Sequence, residues 1–398
     1  MTQIDALPPV TQPAASGETV TIDPSRQAQA KEYARISRRL MIADLALSGL
    51  LMAAWLALGW SRGLELWLLT YSRNVWLLVL AYGALFGLFF TVVGLPLEYY
   101  SGFVLPHRYG QSTETFRGWV KDQALGLLHT AVLGLPILEG VYWALRTAGS
   151  AWWLWTAGGL VLFSLVMAVL APVVIMPLFN KFTPLGAEHA DLVARLTTLA
   201  RQAGTTVSGV FRFDMSRRTK SANAALTGLG GSRRIILGDT LLNEFTADEI
   251  ETVIAHELAH QVHRDIPLGL VFSAISSLVG LGLVSLVLSW GTARLGFSGP
   301  ADIGALPLMA LALGFFGLIT LPLNNAFSRW RERRADQYAL RVTGKPEAFA
   351  SAMTRLANQN LADADPERWV VWLLHSHPPI RDRVAMAQAF RPSAGHAG

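Results

Sequence analysis

Six segments of the sequence are long and apolar enough to cross a lipid bilayer as helices. Such a helix needs about 20 mostly apolar residues. Only 15% of the 398 residues are charged, whereas ordinary soluble domains contain about 25%. Because backbone groups inside a bilayer must be hydrogen-bonded within the protein, each segment is predicted to be helical. The six predicted spans are Leu40–Trp60, Val75–Leu97, Ala124–Leu145, Trp152–Met176, Leu268–Trp290 and Ile303–Leu323.

The distribution of lysine and arginine predicts how these spans are oriented. Residues 98–123, 177–267 and 324–398, and the stretch before the first span, are rich in cations. The short loops between them contain only one or two each. Since cytoplasmic loops carry the excess of Lys and Arg in membrane proteins, the three long segments and both termini are predicted to be cytoplasmic.

The charge distribution argues against nucleic-acid binding, and the lack of cysteine limits which residues can bind a metal. The net charge is +5, but the cations cluster beside the apolar segments and form no basic stripe interleaved with aromatic residues. Nucleic-acid binding is therefore not expected. Without cysteine, the chain has no disulfides, and any metal site must use His, Asp or Glu.

The spans divide the chain into five regions. Residues 1–30 are polar and rich in Pro, Ser and Thr, which predicts a disordered tail. Residues 31–176 contain four spans, and residues 268–323 contain two more. Residues 177–267 are predicted to form a cytoplasmic catalytic loop, and residues 324–398 a C-terminal cytoplasmic region that completes the active site. The predicted fold class is an all-α membrane protein with a small α+β catalytic portion.

The long cytoplasmic loop has secondary structure of its own. Alternating apolar residues predict strands over 209–216 and 232–239, and the stretch between them, KSANAALTGLGG, is interpreted as turns. A helix is predicted to begin at Thr246, because Glu249 three residues later completes a capping box. An apolar stripe on this helix predicts that one of its faces is buried.

The stretch VIAHELAHQVHRD within that helix contains the spacing H-E-x-x-H at His256, Glu257 and His260. Residues four apart share one helix face. Two imidazoles can therefore bind one zinc ion while the glutamate acts as a general base. The alternative is a helix with two histidines by chance, but the helical context and the cap fit the metal interpretation.

A catalytic zinc takes three protein ligands and leaves one position for water, so a third ligand is required. The stretch SRWRERRADQYALRVTG is interpreted as a helical continuation of the sixth span. Glu332 and Asp336 share a face there. The first can bind the metal, and the second can accept the other ring N–H of a ligating histidine. Two alternatives stay open: a solvated helix whose acids pair with nearby arginines, and His263 as the third ligand.

Near the C-terminal end, the stretch LLHSHPPIRDRV adds His375, His377, Arg381 and Arg383. Peptide hydrolysis beside a metal needs donors that face the developing oxyanion. The alternative is a surface loop with ordinary polar residues, and the pattern alone does not decide between them.

Taken in order, these motifs resemble the type I CAAX prenyl protease family, which are integral-membrane zinc endopeptidases of the gluzincin group. The resemblance extends roughly from Leu95 to Ala387. The motifs that carry it are FVLPHRYGQSTETFRGWVKD, APVVIMPLFNKFTPL, SANAALTG, SRRIILGDTLL, AHELAH, SRWRERRADQYA and HSHPPIRDRV.

The resemblance implies one zinc ion bound by His256, His260 and Glu332, with Glu257 as the catalytic base. The implied reaction is hydrolysis of a peptide bond near the C-terminus of a prenylated peptide. The resemblance also implies six helices around a water-filled chamber, with the active site near its cytoplasmic end.

Four further residues acquire roles through the resemblance. Asp336 is expected to orient a zinc-binding histidine. His377 is expected to donate to the transition state, and Arg383 to bind the substrate or the transition state as a cation. Asn223 matches an asparagine beside the edge strand that binds substrate.

The chain departs from eukaryotic members, which have an extra N-terminal span and often a charged insertion before H-E-x-x-H. Its form is typical of bacterial members, so the bacterial inner membrane is the expected location. The expected partners are membrane lipid and a peptide or protein substrate, with lipidation of the substrate an open alternative.

Two other functions are carried forward. The first is an HtpX-type quality-control protease, which shares the catalytic motifs but is disfavoured by the six spans and the long match before the zinc helix. The second is a zinc-dependent membrane scaffold without activity. The presence of Glu257 disfavours the scaffold, because a structural zinc site needs no base.

Overall fold

The structure is a computed structural model that describes residues 20–228 and 230–391. Its first half consists of the helices α1 (Pro24–Ala57), α2 (Trp60–Leu69), α3 (Val75–Tyr99), α4 (Leu105–Arg108), α5 (Phe116–Thr147), α6 (Trp152–Leu170) and α7 (Met176–Phe179). α3 continues into α4 and α6 into α7 through π-helical turns. A proline lies in or beside each turn, Pro106 in one case and Pro172 in the other. Because proline cannot donate a backbone hydrogen bond, it favours such local rearrangements.

The polar N-terminal region is helical from Pro24 onward, unlike the disordered tail predicted for residues 1–30. Asp23 caps α1 by accepting hydrogen bonds from backbone amides two and three residues ahead. Gln27 binds the backbone of the C-terminal region through both its amide nitrogen and its amide oxygen. These contacts order residues that composition alone assigns to a tail, so disorder is a wrong prediction after Pro24. Residues 1–19 lie outside the described part of the chain.

The long loop over residues 177–267, which is predicted to be cytoplasmic, forms a four-stranded sheet in the order β1-β2-β4-β3. Its strands are β1 (Phe182–Pro184), β2 (Val210–Phe213), β3 (Ala224–Thr227) and β4 (Arg234–Gly238). β2 and β4 are the two predicted strands and pair in parallel, while β1 and β3 pair antiparallel at the edges. The interpretation of the intervening stretch as turns is wrong for β3, because pairing with β4 and burial of Ala224 outweigh its weak strand preference.

Three helices pack with this sheet: α8 (Ala190–Gln202), α9 (Asp239–Glu244) and α10 (Ala247–Val262). The capping box predicted from Thr246 and Glu249 is present at the start of α10. Ile250, Ile254 and Leu258 are buried on one face of α10, in a core shared with leucines of α8 and isoleucine and leucine of β4. The sheet and α8 thereby fix the orientation of the opposite face of α10.

The remaining helices are α11 (Asp265–Arg294), α12 (Leu306–Thr343), α13 (Pro346–Gln359), α14 (Arg368–Leu374) and α15 (Ile380–Ala389). In the described part of the chain, six helices are long and apolar enough to cross a membrane. They match the six predicted spans. α12 continues without a break far beyond Leu323, where the predicted span ends, as the sequence indicated.

The three long segments predicted to share one side of the membrane contact one another. The backbone amide of Thr113 donates to the carbonyl of Arg218 at 3.1 Å, which joins the first segment to the second. The side chain of Gln359 donates to the carbonyl of Lys220 at 2.9 Å, which joins the third to the second. All three therefore lie at the same end of the spans, and their location in the cytoplasm stays a prediction.

Close contact between α11 and α12 depends on Gly280. A Cβ atom added at Gly280 would lie 2.6 Å from Cε1 of Phe316, whereas one added at Gly314 would meet nothing within 4 Å. We predict that Gly280→Ala lowers the thermal unfolding midpoint, because overpacking costs about 1–3 kcal/mol. Gly314→Ala is the matched control and should leave the midpoint unchanged or raise it. Equal midpoints for both variants in detergent would contradict the close contact.

Candidate metal centre

The predicted metal ligands His256, His260 and Glu332 lie together. Each offers one ligand atom, and these three atoms are within 4.8 Å of one another. In the described ranges this is the only group of three such residues close enough to hold a metal ion. Nε2 of His256 is 3.1 Å from Oε2 of Glu332, and Nε2 of His260 is 3.7 Å from Oε1 of the same carboxylate.

The packing of α10 against α12 creates this arrangement. α12 presents Ala335 and Ala339, both fully buried, and these small residues allow the two helices to approach closely. Glu332 and Asp336 lie on the same face, one turn apart, and both are buried. The predicted helical continuation of the sixth span is therefore what carries a carboxylate to the two imidazoles.

Asp336 holds the first histidine in place. Its Oδ1 is 2.8 Å from Nδ1 of His256, so that Nε2 of this ring points towards Glu332. Arg383 of α15 donates to both oxygens of Asp336, at 2.9 and 2.6 Å. The Arg383 guanidinium is thus buried against Asp336, and its role as a cation that binds the substrate or the transition state stays a prediction.

A carboxylate not singled out from the sequence holds the second histidine. Oδ2 of Asp265 is 2.7 Å from Nδ1 of His260. Asp265 begins α11 and is 2% exposed. A signal was available in the sequence, since this aspartate is the only acidic residue directly after the H-E-x-x-H helix, but spacing alone does not predict the tight turn between α10 and α11.

Glu257 lies between the two histidines in sequence and next to the metal group. Burial raises the pKa of the Glu257 carboxyl above its ordinary value, and the neighbouring histidines only partly oppose this. A raised pKa makes a carboxylate a better proton acceptor near neutral pH. The direction of this pKa shift suits the predicted base.

His377 reaches the group from the C-terminal region. Its Nε2 is 3.5 Å from Oε2 of Glu332, and its Nδ1 is 3.0 Å from the hydroxyl of Ser376. Desolvation lowers the pKa of His377, although the charge of Glu332 opposes this shift. Asn325 and Arg329 of α12 fix this segment by donating to carbonyl groups of α14 and the following loop.

Other predicted residues lie outside the group. Asn223 is exposed at the start of β3, and its side-chain oxygen accepts from the next backbone amide. His263 caps the end of α10 and lies against the ring of Tyr338 instead of facing the metal group. His375 contributes a backbone carbonyl that accepts from Arg329.

The side chains fit a divalent metal. Oε2 of Glu332 is buried and, among the described residues, lacks a hydrogen bond of acceptable geometry, even though it lies close to Nε2 of His256. Two imidazole nitrogens and a carboxylate are a ligand set suited to zinc, with metal–ligand distances of about 2.0–2.2 Å. A bound metal would give this oxygen a partner in place of the protonated ring of His256.

Comparison with known families agrees with this site. Residues 10–181 match the description "CAAX prenyl protease N-terminal, five membrane helices", and residues 186–391 match "Peptidase family M48". Six apolar helices and a His-His-Glu group thus belong to an integral membrane metalloprotease. The chain belongs to peptidase family M48, with the N-terminal region of the CAAX prenyl proteases. Residues 20–181 contain four candidate spans and the short α2, one span fewer than that N-terminal description.

Individual relatives support the same assignment. The chain is 31% identical over 371 residues to an "uncharacterized metalloprotease YhfN" of Bacillus subtilis, which covers 92% of this chain and 86% of the relative. It is also 31% identical to "CAAX prenyl protease 1" of Saccharomyces cerevisiae, covering 74% and 68%. The crystal structure of S. mikatae Ste24p superposes with a TM-score of 0.83 at 25% identity, covering 96% and 92%. The predicted family, fold class and metalloprotease activity are confirmed.

Metal binding at this site is predicted to release a proton. Burial disfavours the charged ring of His256, but Asp336 and Glu332 outweigh burial and raise the pKa of His256 to about 9. The metal-free ring is therefore protonated at pH 7, whereas a metal ligand must be neutral. We expect the zinc association constant to rise about tenfold per pH unit from pH 7 and to level off above about pH 9.

Competition with a chelator of known affinity, from pH 6.5 to pH 10, measures this slope. Asp336→Asn removes one acidic partner of His256 and should shift the levelling to lower pH. An association constant for the unmodified chain that does not change between pH 7 and pH 9 would refute the coupling.

Proposed function

We propose that His256, His260 and Glu332 bind one zinc ion and that Glu257 is the general base of a peptidase. The observation that carries this proposal is the convergence of the three ligand atoms, which lie within 4.8 Å of one another. Asp336 and Arg383 serve as positioning residues, because the arginine holds the aspartate that orients His256.

Zinc, when bound, supplies Lewis-acid chemistry that lowers the pKa of water and polarises a carbonyl group. Glu257 takes a proton from the attacking water as its oxygen adds to the carbonyl carbon of the scissile peptide. The same carboxyl group then delivers this proton to the nitrogen of the leaving amine as the C–N bond breaks. The second proton of the water stays on the new carboxyl group, and its transfer to the amine leaves a carboxylate and an ammonium group as products at neutral pH.

His377 is the proposed donor to the oxyanion. Its neutral ring carries one N–H, and Ser376 lies beside Nδ1. If the hydroxyl of Ser376 donates to Nδ1, the proton of the ring stays on Nε2, the atom that faces the metal group. A neutral donor in this position stabilises charge that develops on the carbonyl oxygen.

The substrate backbone is proposed to add to β3. This strand pairs with β4 on one side only and is therefore an edge of the sheet. β3 also lies beside α10, the helix that carries the two histidines. An extended peptide that pairs with the free edge of β3 is held by backbone hydrogen bonds, with Asn223 at the first residue beyond the strand.

A lipid-carrying substrate is proposed because α14 presents apolar surface directly before His377. Trp369 and Trp372 are 55% and 61% exposed. Arg38, just before the first predicted span, pairs with Glu367 at one end of α14, and α12 binds its other end just after the sixth span. α14 therefore lies at the level where α1 and α12 leave the predicted bilayer, where aromatic residues favour contact with lipid chains.

The proposed setting is the bacterial inner membrane with both termini in the cytoplasm. The cation distribution supports this orientation, and the contacts among the three long segments place them at one end of the spans. A water-filled chamber between the spans, with the metal group near its cytoplasmic end, is part of the same proposal. It supplies the water that hydrolysis consumes.

The two alternative functions, a quality-control protease and an inactive scaffold, differ from this proposal in the peptides that the protein should cleave. A quality-control protease should cleave unprenylated and prenylated peptides alike. A scaffold should keep its zinc and cleave neither peptide. The position of Glu257 beside the metal group favours an active enzyme.

We predict that Glu257→Gln abolishes cleavage of a farnesylated CAAX peptide while zinc stays bound. Loss of a general base typically costs about 10²–10⁴ in rate, and the amide leaves the three metal ligands intact. The measurement is cleavage of the farnesylated peptide and its unprenylated twin by purified protein, with zinc determined in each sample. Glu251→Gln, on the same helix but in a partly buried ion pair with Arg195 and Lys345, is the matched control.

In this comparison, cleavage restricted to the farnesylated peptide supports the full proposal. Equal cleavage of both peptides by the unmodified chain removes the lipid requirement and favours the quality-control function. Full activity of Glu257→Gln would refute the assigned base.

We predict that Trp372→Ala raises KM for the farnesylated peptide about fivefold, because about 1 kcal/mol of apolar contact is lost. KM for the unprenylated twin should not change. Trp290→Ala is the control. Trp290 is equally exposed, but it lies near the C-terminal end of α11, away from Asp265 and the metal group. Equal effects on both peptides would assign Trp372 to stability instead of lipid contact.

A further inference from the structure

Asp265 makes a single strong side-chain contact in the described part of the chain, and that contact is with His260. Oδ2 lies 2.7 Å from Nδ1 of the ring, while Oδ1 is buried and has no hydrogen bond to any described residue. The side chain of Asp265 is only 3% exposed. Burying a carboxylate lowers the stability of the folded protein unless hydrogen bonds or ion pairs replace its contacts with water. For Asp265, the contact with His260 is the one that does so.

The conformation of the backbone just before Asp265 places this residue beside His260. α10 ends at Val262, and Arg264 adopts a left-handed conformation with φ 54° and ψ 42°. Such a conformation is disfavoured for a residue with a side chain. It turns the chain so sharply that the first residue of α11 lies beside the last turn of α10. Strain of this kind is often retained at functional sites.

The backbone of Asp265 also contacts α12, the helix that supplies the carboxylate ligand Glu332. Nη1 of Arg331 is 3.4 Å from the backbone oxygen of Asp265, and Arg331 directly precedes Glu332 in α12. Asp265 therefore lies where α10, α11 and α12 meet. It contacts α10 through its side chain and α12 through its backbone.

We propose that Asp265 is a positioning residue that fixes the ring of His260 with Nε2 facing the metal. This inference rests on the proposed zinc site. It gives each imidazole its own carboxylate, Asp336 for His256 and Asp265 for His260. The two differ in one respect: Asp336 is also bound by Arg383, whereas Asp265 belongs to the first turn of a membrane-spanning helix. The position of α11 then directly affects the geometry of a metal ligand.

The competing explanation is that Asp265 only stabilises the start of α11, since an acidic residue in a first turn interacts favourably with the helix dipole. Asp248 has that property in α10 without touching the metal group, because it pairs with Arg195 and Lys345 at the surface. Asp248→Ala is therefore the matched control for loss of a first-turn acid.

The test uses the full chain in detergent, with zinc affinity measured by competition with a chromogenic chelator. Asp265→Ala should bind zinc about 10–100-fold more weakly, the usual effect of losing such a partner. Its cobalt-substituted form should show a changed visible spectrum. Asp265→Glu should recover part of the affinity. Asp248→Ala should match the unmodified chain in affinity and spectrum.

Unchanged affinity and an unchanged cobalt spectrum in Asp265→Ala would overturn the inference. If that variant does not fold, the tautomer of His260 decides the question in the unmodified, metal-free chain. Labelling with 15N-histidine, assigned by comparison with His260→Gln, should show the proton of the neutral ring on Nδ1. A proton on Nε2 would overturn the inference. Failure of the unmodified chain to bind zinc would instead refute the proposed metal site.

Discussion

The site depends on the ion pairs of one fully buried carboxylate, that of Asp336. A charge removed from water must be paired, and losing one partner of such a pair typically costs about 3–5 kcal/mol. Asp336 is paired with Arg383 of α15 and with His256 of α10. These helices are far apart in sequence, so one carboxylate links the zinc-motif helix, the C-terminal helix and the end of a membrane span.

The two hydrophobic cores of the protein are joined by α12. Its first residues, including Leu306 and Met309, belong to the core among the spans. Its last residues, including Ala339 and Leu340, belong to the core around the sheet and α10. The metal group lies between these cores, where one helix passes from apolar to polar surroundings. α12 therefore connects the membrane spans to the catalytic region as one continuous helix.

The sequence predicted the features that depend on local pattern and missed those that depend on distant contacts. Apolar length identified all six spans, and the capping box at Thr246 located the start of α10. H-E-x-x-H identified its own three residues, while Glu332 needed the resemblance to separate it from a solvated helix. β1 and β3 were missed because short edge strands are stabilised mainly by their partners. Asp265 was missed because a left-handed residue at Arg264 leaves no pattern in the sequence.

The continuity of α12 beyond the predicted span sets a distance between the bilayer and the metal group. The predicted span ends at Leu323, and nine more residues of continuous helix lead to Glu332, a rise of about 14 Å at 1.5 Å per residue. An extended peptide covers that distance in about four residues. If the substrate is lipid-anchored, as proposed, an anchor held in the bilayer would present to the metal group the bond about four residues away. Cleavage of a bond closer to the lipid would then require the anchor to rise out of the bilayer.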